Sequence, residues 1–396
     1  MGRQIRSVLY LLSLLTVVGV IAAVVMTGER RAAETVSDDV GTEREEAVTE
    51  EFAEADESQV TEESQAEPTA EAAEEETETE DVQELQEPVT LIFTGDVLFA
   101  NAFQAGYDGK GIAGVIDDAL LEELNAADIL MINNEFPFSD RGVQMEEKQY
   151  TFRCSPSYAG ALNEMGVDVV SLANNHTLDF GKEALTDTFA ALDGAGILYG
   201  GAGDTVERAE AVQVIEVNGR RYGFLAVSRV IPTVDWKVEY SAPGLFSCYD
   251  DTRLVELITE AKETCDFLAV YPHWGVEYQA YPEAYQVRFA ERWLEAGADL
   301  IVGSHTHCLQ GVSYFEGKPV FYSLGNFVFG RDIDRSAILK VTVQPDGTAE
   351  CALLPVYASE GVTRFAEGAR AEETLRYLDG ISRGAAVGSD GTVAPE

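Results

Sequence analysis

The four histidines of the chain each come shortly after an apolar run that is typical of a buried β-strand. His176 follows "VDVVSLANN", His273 follows "DFLAVYP", and His305 and His307 follow "ADLIVGS". Carboxylate and amide side chains also stand at the ends of such runs; they are Asp96, Asn133, Asn134, Glu135, Asn174 and Asn175. Because ligands bind at the carboxyl ends of the strands in α/β sheets, these side chains are predicted to converge on one site.

Imidazole, carboxylate and amide groups together favour a divalent metal ion over a serine or cysteine nucleophile. Imidazole suits zinc, iron or manganese, whereas carboxylates suit magnesium and manganese. His305 and His307 are two positions apart, so on an extended chain both side chains face the same side and reach one metal ion or two adjacent ones. The sequence contains no P-loop motif. The expected cofactor is therefore one or two ions of manganese, zinc, iron or magnesium.

Each of these residues also has a purely structural explanation when it is taken singly. Asp96 suits a turn or a helix N-cap, and Asn174 with Asn175 suits a turn because asparagine tolerates left-handed backbone. His273, beside Trp274, suits a hydrogen-bonded histidine in the core. A shared site is favoured because it explains why every histidine falls at a strand end.

The elements that would position these residues begin at residue 89, where strand-like runs start to alternate with amphipathic helical stretches. The predicted strands are 89–96, 128–135, 167–176, 266–275 and 298–307, and the predicted helices are 155–166, 182–196, 252–265, 283–297 and about 369–383. Hairpins are predicted at 212–228, 311–329 and 337–356. This order predicts an α/β fold of two packed sheets with helices outside, and a single mixed sheet is the alternative. Residues 384–396 are expected to form a loose tail.

The chain before residue 89 has a different composition. The 22 uncharged residues between Arg6 and Glu29 are enough to cross a bilayer as a helix. Residues 1–33 are therefore predicted to be an uncleaved, single-pass signal anchor in the cell membrane, with the folded domain extracytoplasmic; a cleaved signal peptide is the alternative. Residues 34–88 hold 23 acidic residues and one arginine, and they are predicted to be a disordered stalk. Binding of cations or of a cell-wall polymer by this segment is the alternative.

The charge of the chain excludes one class of partner. Of the net charge of −43, residues 34–88 contribute −22 and residues 1–33 contribute +3, which leaves −24 for residues 89–396. Nucleic-acid binding needs a basic surface, so no nucleic acid is expected as a partner. The five cysteines include no CxxC pair, so they are expected to be buried or incidental thiols, with Cys308 beside the "HTH" run as the one candidate for another role.

Six motifs in sequence resemble those of the CapA family of capsule and poly-γ-glutamate biosynthesis proteins. They are "FTGDVLFA", "NNEFPFSD", "SLANNHTLDFG", "YPHWGVEY", "GADLIVGSHTH" and "GKPVFYSLGNFVF", and they cover about residues 89–330. That family is similar to the calcineurin-like metallophosphoesterases. The resemblance implies a four-layer α/β/β/α sandwich over residues 89–358, followed by a C-terminal helix and tail at 359–396.

The resemblance also implies roles for individual residues. The metal ligands would be Asp96, Glu135, Asn175, His273, His305 and His307, with Glu135 as a bridging carboxylate. His176 would be the acid that protonates the leaving group. The substrate pocket would be lined by Asn134, Asn174, Trp274 and Asn326, although Asn326 equally suits a structural turn.

The chain departs from the phosphoesterase pattern in ways that bear on function. Leu98 stands where an Asp-x-His motif has histidine, "NNE" replaces a "GD" motif, and Ser304 displaces a glycine. One tight and one weak metal site are therefore plausible. Two functions are compatible with the sequence. The first is a membrane-anchored metal-dependent hydrolase that acts on a phosphoester or amide of a cell-envelope polymer. The second is a non-catalytic accessory or polymer-handling subunit of a polyglutamate or capsule synthesis and export complex.

Overall fold

The computed structural model describes residues 87–396. The predicted signal anchor at 1–33, and the predicted stalk up to residue 86, lie outside the described residues. Within residues 87–396, no helix is both long enough and apolar enough to span a bilayer.

The secondary structure elements are numbered here along the described chain. The strands are β1 (Val89–Val97), β2 (Ile129–Asn134), β3 (Val169–Ser171), β4 (Leu198–Gly200), β5 (Ala202–Gly203), β6 (Gln213–Val217), β7 (Arg220–Ser228), β8 (Gly244–Leu245), β9 (Phe267–His273), β10 (Leu300–Val302), β11 (Val312–Phe315), β12 (Lys318–Phe321), β13 (Asn326–Val328), β14 (Ile333–Val343), β15 (Ala349–Ser359), β16 (Val362–Phe365), β17 (Ala385–Val387) and β18 (Thr392–Pro395). The helices are α1 (Asn101–Lys110), α2 (Asp118–Asn125), α3 (Gly160–Glu164), α4 (Gly181–Ala195), α5 (Val206–Ala209), α6 (Thr252–Lys262), α7 (Ala284–Glu295) and α8 (Gly368–Ile381).

Two mixed sheets contain most of these strands. The ten-stranded sheet runs β17-β18-β15-β14-β1-β2-β3-β4, with β13 paired to β1 and β16 to β15. Strands β1 to β4 are parallel, whereas β14 and β15 are antiparallel. The six-stranded sheet runs β11-β12-β10-β9-β7-β6, with a parallel centre and antiparallel edges. The prediction of a mixed α/β fold with more than one sheet is confirmed.

Alternate residues of the central strands pack on opposite faces, as the two-residue period of a strand requires. In β1, Leu91 and Phe93 join an apolar cluster that contains residues of both sheets, including Phe224 and Val302. Ile92 instead joins a second cluster on the other face of the ten-stranded sheet, with helices α1 to α4. A third cluster covers the outer face of the six-stranded sheet with α6 and α7. The sheets therefore pack face to face, with helices on their outer faces.

The C-terminal residues differ from the expected loose tail. Residues 385–387 and 392–395 form the hairpin β17–β18, and β18 pairs with β15. Val387 and Val393 are buried in the cluster between the sheets. The turn suits its sequence, because Gly391 has a φ of +87° and the Asp390 carboxylate accepts a hydrogen bond from Thr392 N. Burial of this apolar hairpin accounts for its order, and the strands after residue 358 extend the same sheet.

Candidate metal centre

The carboxyl ends of neighbouring strands bring the predicted residues to one edge of both sheets. In the ten-stranded sheet, Asp96 of β1 lies in register with Asn133 of β2 and with Asn326 of β13. In the six-stranded sheet, His273 ends β9 and forms a β-bridge with Ser304, which follows β10. The structure thus brings together residues that are up to 230 positions apart in sequence.

Glu135, directly after β2, is the least satisfied polar side chain of the site. It is fully buried, and neither carboxylate oxygen has a hydrogen-bond partner among the described residues. Burial, followed by the negative charge of Asp96, raises the pKa of Glu135 well above its ordinary value. Because an unpaired buried carboxylate is costly, this side chain fits a site where cations provide the missing partner.

One group of potential ligands contains two imidazoles. Glu135, His273 and His305 each offer a ligand atom, and these atoms lie within 4.8 Å of one another. Asn175 Oδ1 lies 2.8 Å from His273 Nε2. Burial, reinforced by neighbouring histidines, lowers the pKa of His273 well below its ordinary value and that of His305 to about 4. Both rings are therefore neutral at pH 7, which is the form that binds metal.

A second group shares Glu135 with the first. Asp96, Glu135 and His307 also offer ligand atoms within 4.8 Å of one another. His307 Nδ1 lies 3.2 Å from Asp96 Oδ2 and 2.9 Å from Asn326 Oδ1. Burial alone would lower the pKa of His307, but the charges of Glu135 and Asp96 and hydrogen bonds raise it to about 10. The surplus negative charge that causes this shift is the charge that a divalent cation would neutralise.

The loop that carries His305 and His307 corrects the predicted strand at 298–307. Strand β10 ends at Val302, and the two histidines have φ angles of +98° and +55°. Their convergence therefore arises from left-handed backbone and not from the alternation of an extended chain. Such strained conformations cost of order 1–3 kcal/mol each and cluster at functional sites. Hydrogen bonds hold the loop, including that from Thr306 Oγ1 to Ser323 Oγ at 2.9 Å.

His176 belongs to neither group of potential ligands and has partners of its own. Its Nδ1 is 2.7 Å from Asp179 Oδ2, and Lys148 Nζ lies 3.1 Å from the same nitrogen. Lys148 also donates hydrogen bonds to Asp179 and to the carbonyl of Asn175. Burial lowers the pKa of His176, and the hydrogen bond and charge of Asp179 oppose that effect. An imidazole fixed at Nδ1 by a carboxylate is suited to proton transfer at its other nitrogen.

Sequence reasoning missed Lys148 and Asp179. Asp179 had a signal, because it lies three residues after His176 in "HTLD". Lys148 had none, since it comes from the irregular segment between β2 and the Pro156–Tyr158 turn. Only the fold brings Lys148 beside Asn175 and His176.

The predicted pocket residues differ in where their side chains lie. Asn174 has a structural role, because its side chain joins the ends of two strands by hydrogen bonds. Its Nδ2 donates to Asn133 Oδ1 and to the Asn134 carbonyl, and its Oδ1 accepts from His176 N. Asn134 donates to the Phe136 carbonyl, and its buried Oδ1 has no partner within residues 87–396. Neither residue is among those that line the cavity beside the site.

Trp274 points away from the site. Its ring stacks on Trp293 of α7 at a centroid distance of 5.3 Å, and its Nε1 donates to the Tyr322 carbonyl. It follows His273 on the strand, so its side chain falls on the opposite face, in the cluster outside the six-stranded sheet. This position makes Trp274 a core residue and not the expected pocket residue.

A cavity of about 310 Å³ opens beside the histidines. His176 and His307 both line it, so the proton-transfer candidate and one potential metal ligand face the same space. Its other walls include aromatic side chains and two charged ones; they are Tyr150, Phe152, Tyr278, Phe329, Glu277 and Arg331. Leu98, which stands where the Asp-x-His motif has a histidine, also lines the cavity.

Comparison with known proteins places the chain in a family. The family described as "Bacterial capsule synthesis protein PGA_cap" matches residues 90–331, which is more than half of the chain. The chain belongs to this family. The predicted resemblance to CapA is thereby confirmed.

Relatives of this PGA_cap chain include "Capsule biosynthesis protein CapA" of Bacillus anthracis, which is 28% identical over 296 residues and matched across 69% of each chain. "PGA biosynthesis protein CapA" of Bacillus subtilis is 28% identical over 269 residues, which cover 67% of this chain and 70% of the relative. The "Probable polyglutamine synthesis accessory protein" of Mycobacterium tuberculosis is 31% identical over 219 residues, with coverages of 53% and 57%.

Solved structures also overlap with the chain, at low similarity. A sulfate thiohydrolase, SoxB, of Thermus thermophilus is 14% identical with a TM-score of 0.39, covering 70% of this chain and 56% of that one. A 5'-nucleotidase of Candida albicans is 10% identical with a TM-score of 0.38, covering 67% and 51%. Similarities at this level establish neither fold nor chemistry for the PGA_cap chain.

Proposed function

We propose that this chain is a metal-dependent hydrolase that acts on a phosphoester or amide bond of a cell-envelope polymer. The observation that carries the proposal is Glu135. Its two buried carboxylate oxygens have no hydrogen-bond partner among the described residues, and it belongs to both groups of potential ligands. A carboxylate shared by two such groups suits a bridge between two cations.

The residues divide the chemistry between them. Glu135, His273, His305 and Asn175 would hold one cation, and Asp96, Glu135 and His307 the other. When bound, such ions supply a Lewis acid and lower the pKa of bound water. His176, oriented by Asp179, faces the cavity and would donate the proton that the leaving group needs. These assigned roles resemble those in two-metal phosphoesterases, which have a four-layer α/β/β/α sandwich fold.

The variant Asp179→Asn tests the proton-transfer role. The amide cannot hold the protonated ring of His176 as a carboxylate does, so we expect turnover of the model phosphodiester bis(p-nitrophenyl) phosphate to fall by about 100-fold. The metal content should stay unchanged, because Asp179 belongs to neither ligand group. Asp193→Asn is the matched control, since that carboxylate is more than half exposed on α4. Equal activity of the two variants would contradict the role of His176.

A non-catalytic accessory role is the second candidate. It is supported by Leu98, which stands where a histidine ligand would complete the Asp-x-His pattern, and by relatives that are named as probable accessory proteins. The charge of −24 on residues 89–396 disfavours direct contact with a polyanion unless metal ions bridge it. Polymer production in cells that carry His176→Ala separates the two. Lost production with the folded protein still present supports catalysis, whereas normal production supports the accessory role.

The location and partners of the domain are part of the same proposal. The uncharged run between Arg6 and Glu29 would anchor the chain in the cell membrane, and the acidic segment 34–88 would hold the domain away from it. Subunits of a polyglutamate or capsule synthesis complex are the proposed partners. Accessibility of the domain to protease added outside intact spheroplasts tests this orientation, and protection of the domain would contradict it.

A further inference from the structure

We propose that Asn326 is a metal ligand, and that it makes the two cation positions chemically unequal. The cation beside Asp96 would be held mainly by oxygen, and the cation beside His273 by oxygen and nitrogen donors in equal number. This inference rests on the metal centre of the proposed function, but it does not depend on hydrolysis.

Asn326 is the first residue of β13. This strand pairs with β1 so that Asn326 lies in register with Asp96. The pairing is unusually close at Gly95, where a Cβ atom would come within 1.8 Å of the Gly325 carbonyl oxygen. Gly325 itself has a φ of +74°. The two glycines therefore allow β13 to bring Asn326 beside Asp96.

The side chain of Asn326 is directed toward His307. Asn326 is 4% exposed, and its Oδ1 lies 2.9 Å from His307 Nδ1. Asp96 Oδ2 lies 3.2 Å from the same ring nitrogen. An amide oxygen, a carboxylate oxygen and an imidazole nitrogen thus crowd together next to Glu135, whose oxygens have no hydrogen-bond partner in the described part of the chain. This is the arrangement that donor atoms take around a shared cation.

Leu98 stands two residues after Asp96, at the position where the Asp-x-His pattern of the phosphoesterases has a histidine. Leu98 is 3% exposed and lines the cavity with His307, so the side chain two residues after Asp96 offers no ligand atom. With Asn326 added, the group becomes Asp96, Glu135, Asn326 and His307, with three oxygen donors and one nitrogen. The other group, Glu135, Asn175, His273 and His305, has two of each.

The different donor atoms of the two cation positions imply different metal preferences. Oxygen-rich sites suit manganese and magnesium, whereas imidazole suits zinc and iron. We therefore expect the position beside His273 to prefer Zn²⁺ and the position beside Asn326 to prefer Mn²⁺. One chain would hold two different metal ions when both are supplied.

The experiment is calorimetric titration of the chelator-stripped, full-length chain with ZnCl₂ and then with MnCl₂. Glu135→Gln, which removes the shared carboxylate, measures the background from the acidic segment 34–88. We expect one tight Zn²⁺ equivalent, followed by one Mn²⁺ equivalent. In Asn326→Ala the Mn²⁺ step should weaken by about 100-fold, since loss of an outer-sphere partner alone costs 10–100-fold. The Zn²⁺ step should keep its affinity.

Asn326→Asp distinguishes a ligand from a hydrogen-bond acceptor. If residue 326 is a metal ligand, the new carboxylate should tighten the Mn²⁺ step. If residue 326 only accepts a hydrogen bond from protonated His307, the new carboxylate should hold that proton more firmly and weaken the Mn²⁺ step. Asn163→Ala, on the exposed face of α3, is the control for loss of an amide. An unchanged Mn²⁺ step in Asn326→Ala, or a weaker one in Asn326→Asp, overturns the inference; if Asn326→Ala does not fold, Asn326→Asp decides. Two bound cations without hydrolysis would refute the proposed function and leave this inference standing, whereas no bound cation would refute both.

Discussion

The two sheets contribute different chemistry to the same edge. The ten-stranded sheet supplies oxygen donors, which are Asp96 in β1, Glu135 after β2, Asn175 after β3 and Asn326 at the start of β13. The six-stranded sheet supplies nitrogen donors after β9 and β10, namely His273, His305 and His307. Neither sheet alone offers a complete set, because each ligand group draws on both. The site therefore exists only when the two sheets are packed, so metal binding and packing of the domain should be coupled.

Loss of the shared carboxylate should have the largest effect on this division. In Glu135→Gln both cations should be lost, because this side chain belongs to both groups. The metal-free variant should unfold at no lower denaturant concentration than the metal-free parent, since a neutral amide replaces a buried carboxyl whose pKa burial has raised. Addition of Mn²⁺ and Zn²⁺ should stabilise the parent only. Elemental analysis and urea unfolding check this, with Glu277→Gln at the cavity wall as control; retention of either cation by Glu135→Gln would refute the bridging role.

Loss of one imidazole should affect only the half of the site beside His273. In His305→Ala we expect the tight Zn²⁺ step to weaken by at least about 100-fold, while the Mn²⁺ step beside Asn326 remains. His305 belongs to only one of the two ligand groups, which is the reason for this selectivity. Calorimetric titration measures both steps. Equal weakening of the two steps would show that the halves are not independent.

A backbone clash between β1 and β13 should disturb the oxygen-rich half through packing. In Gly95→Ala the new Cβ would meet the Gly325 carbonyl oxygen at 1.8 Å, so we expect a loss of about 3 kcal/mol in the free energy of unfolding. The Mn²⁺ step should weaken more than the Zn²⁺ step. Gly109→Ala in α1 is the matched control, because nothing lies within 4 Å of its added Cβ and alanine favours a helix by about 0.5 kcal/mol. Similar stabilities of the two variants would contradict the close approach of the strands.

The sequence predicted the convergence at the strand ends but not the geometry that achieves it. Asp96 and His273 were placed correctly at strand ends because buried strands have a strong apolar signature. His305 and His307 depend on two left-handed residues after β10, which no periodicity reveals. Lys148 lies in an irregular segment, and Asn326 reaches Asp96 through contact between Gly95 and Gly325, which are far apart in sequence. The C-terminal hairpin was missed because its strands are too short to show alternation beside a glycine-rich turn.

A gain of one histidine should have the smallest effect on the metal affinities of the two halves. In Leu98→His an imidazole would enter the wall that Leu98 shares with His307. We expect the oxygen-rich half to gain affinity for Zn²⁺ by about tenfold, since a nitrogen donor suits that ion. Leu98→Met preserves the apolar volume and is the control. If both variants titrate alike, the side chain at position 98 does not face the cation. Leu98 is then not the reason why the two cation positions differ.

The metal content of the intact chain tests whether Glu135 is shared by two cations. Elemental analysis of the full-length protein, equilibrated with Zn²⁺ and Mn²⁺ and then freed of unbound ions, should find two equivalents more than in Glu135→Gln treated in the same way. A parent chain that holds no more divalent metal than Glu135→Gln would contradict a two-cation centre at Glu135, because the buried carboxylate would then have some other partner.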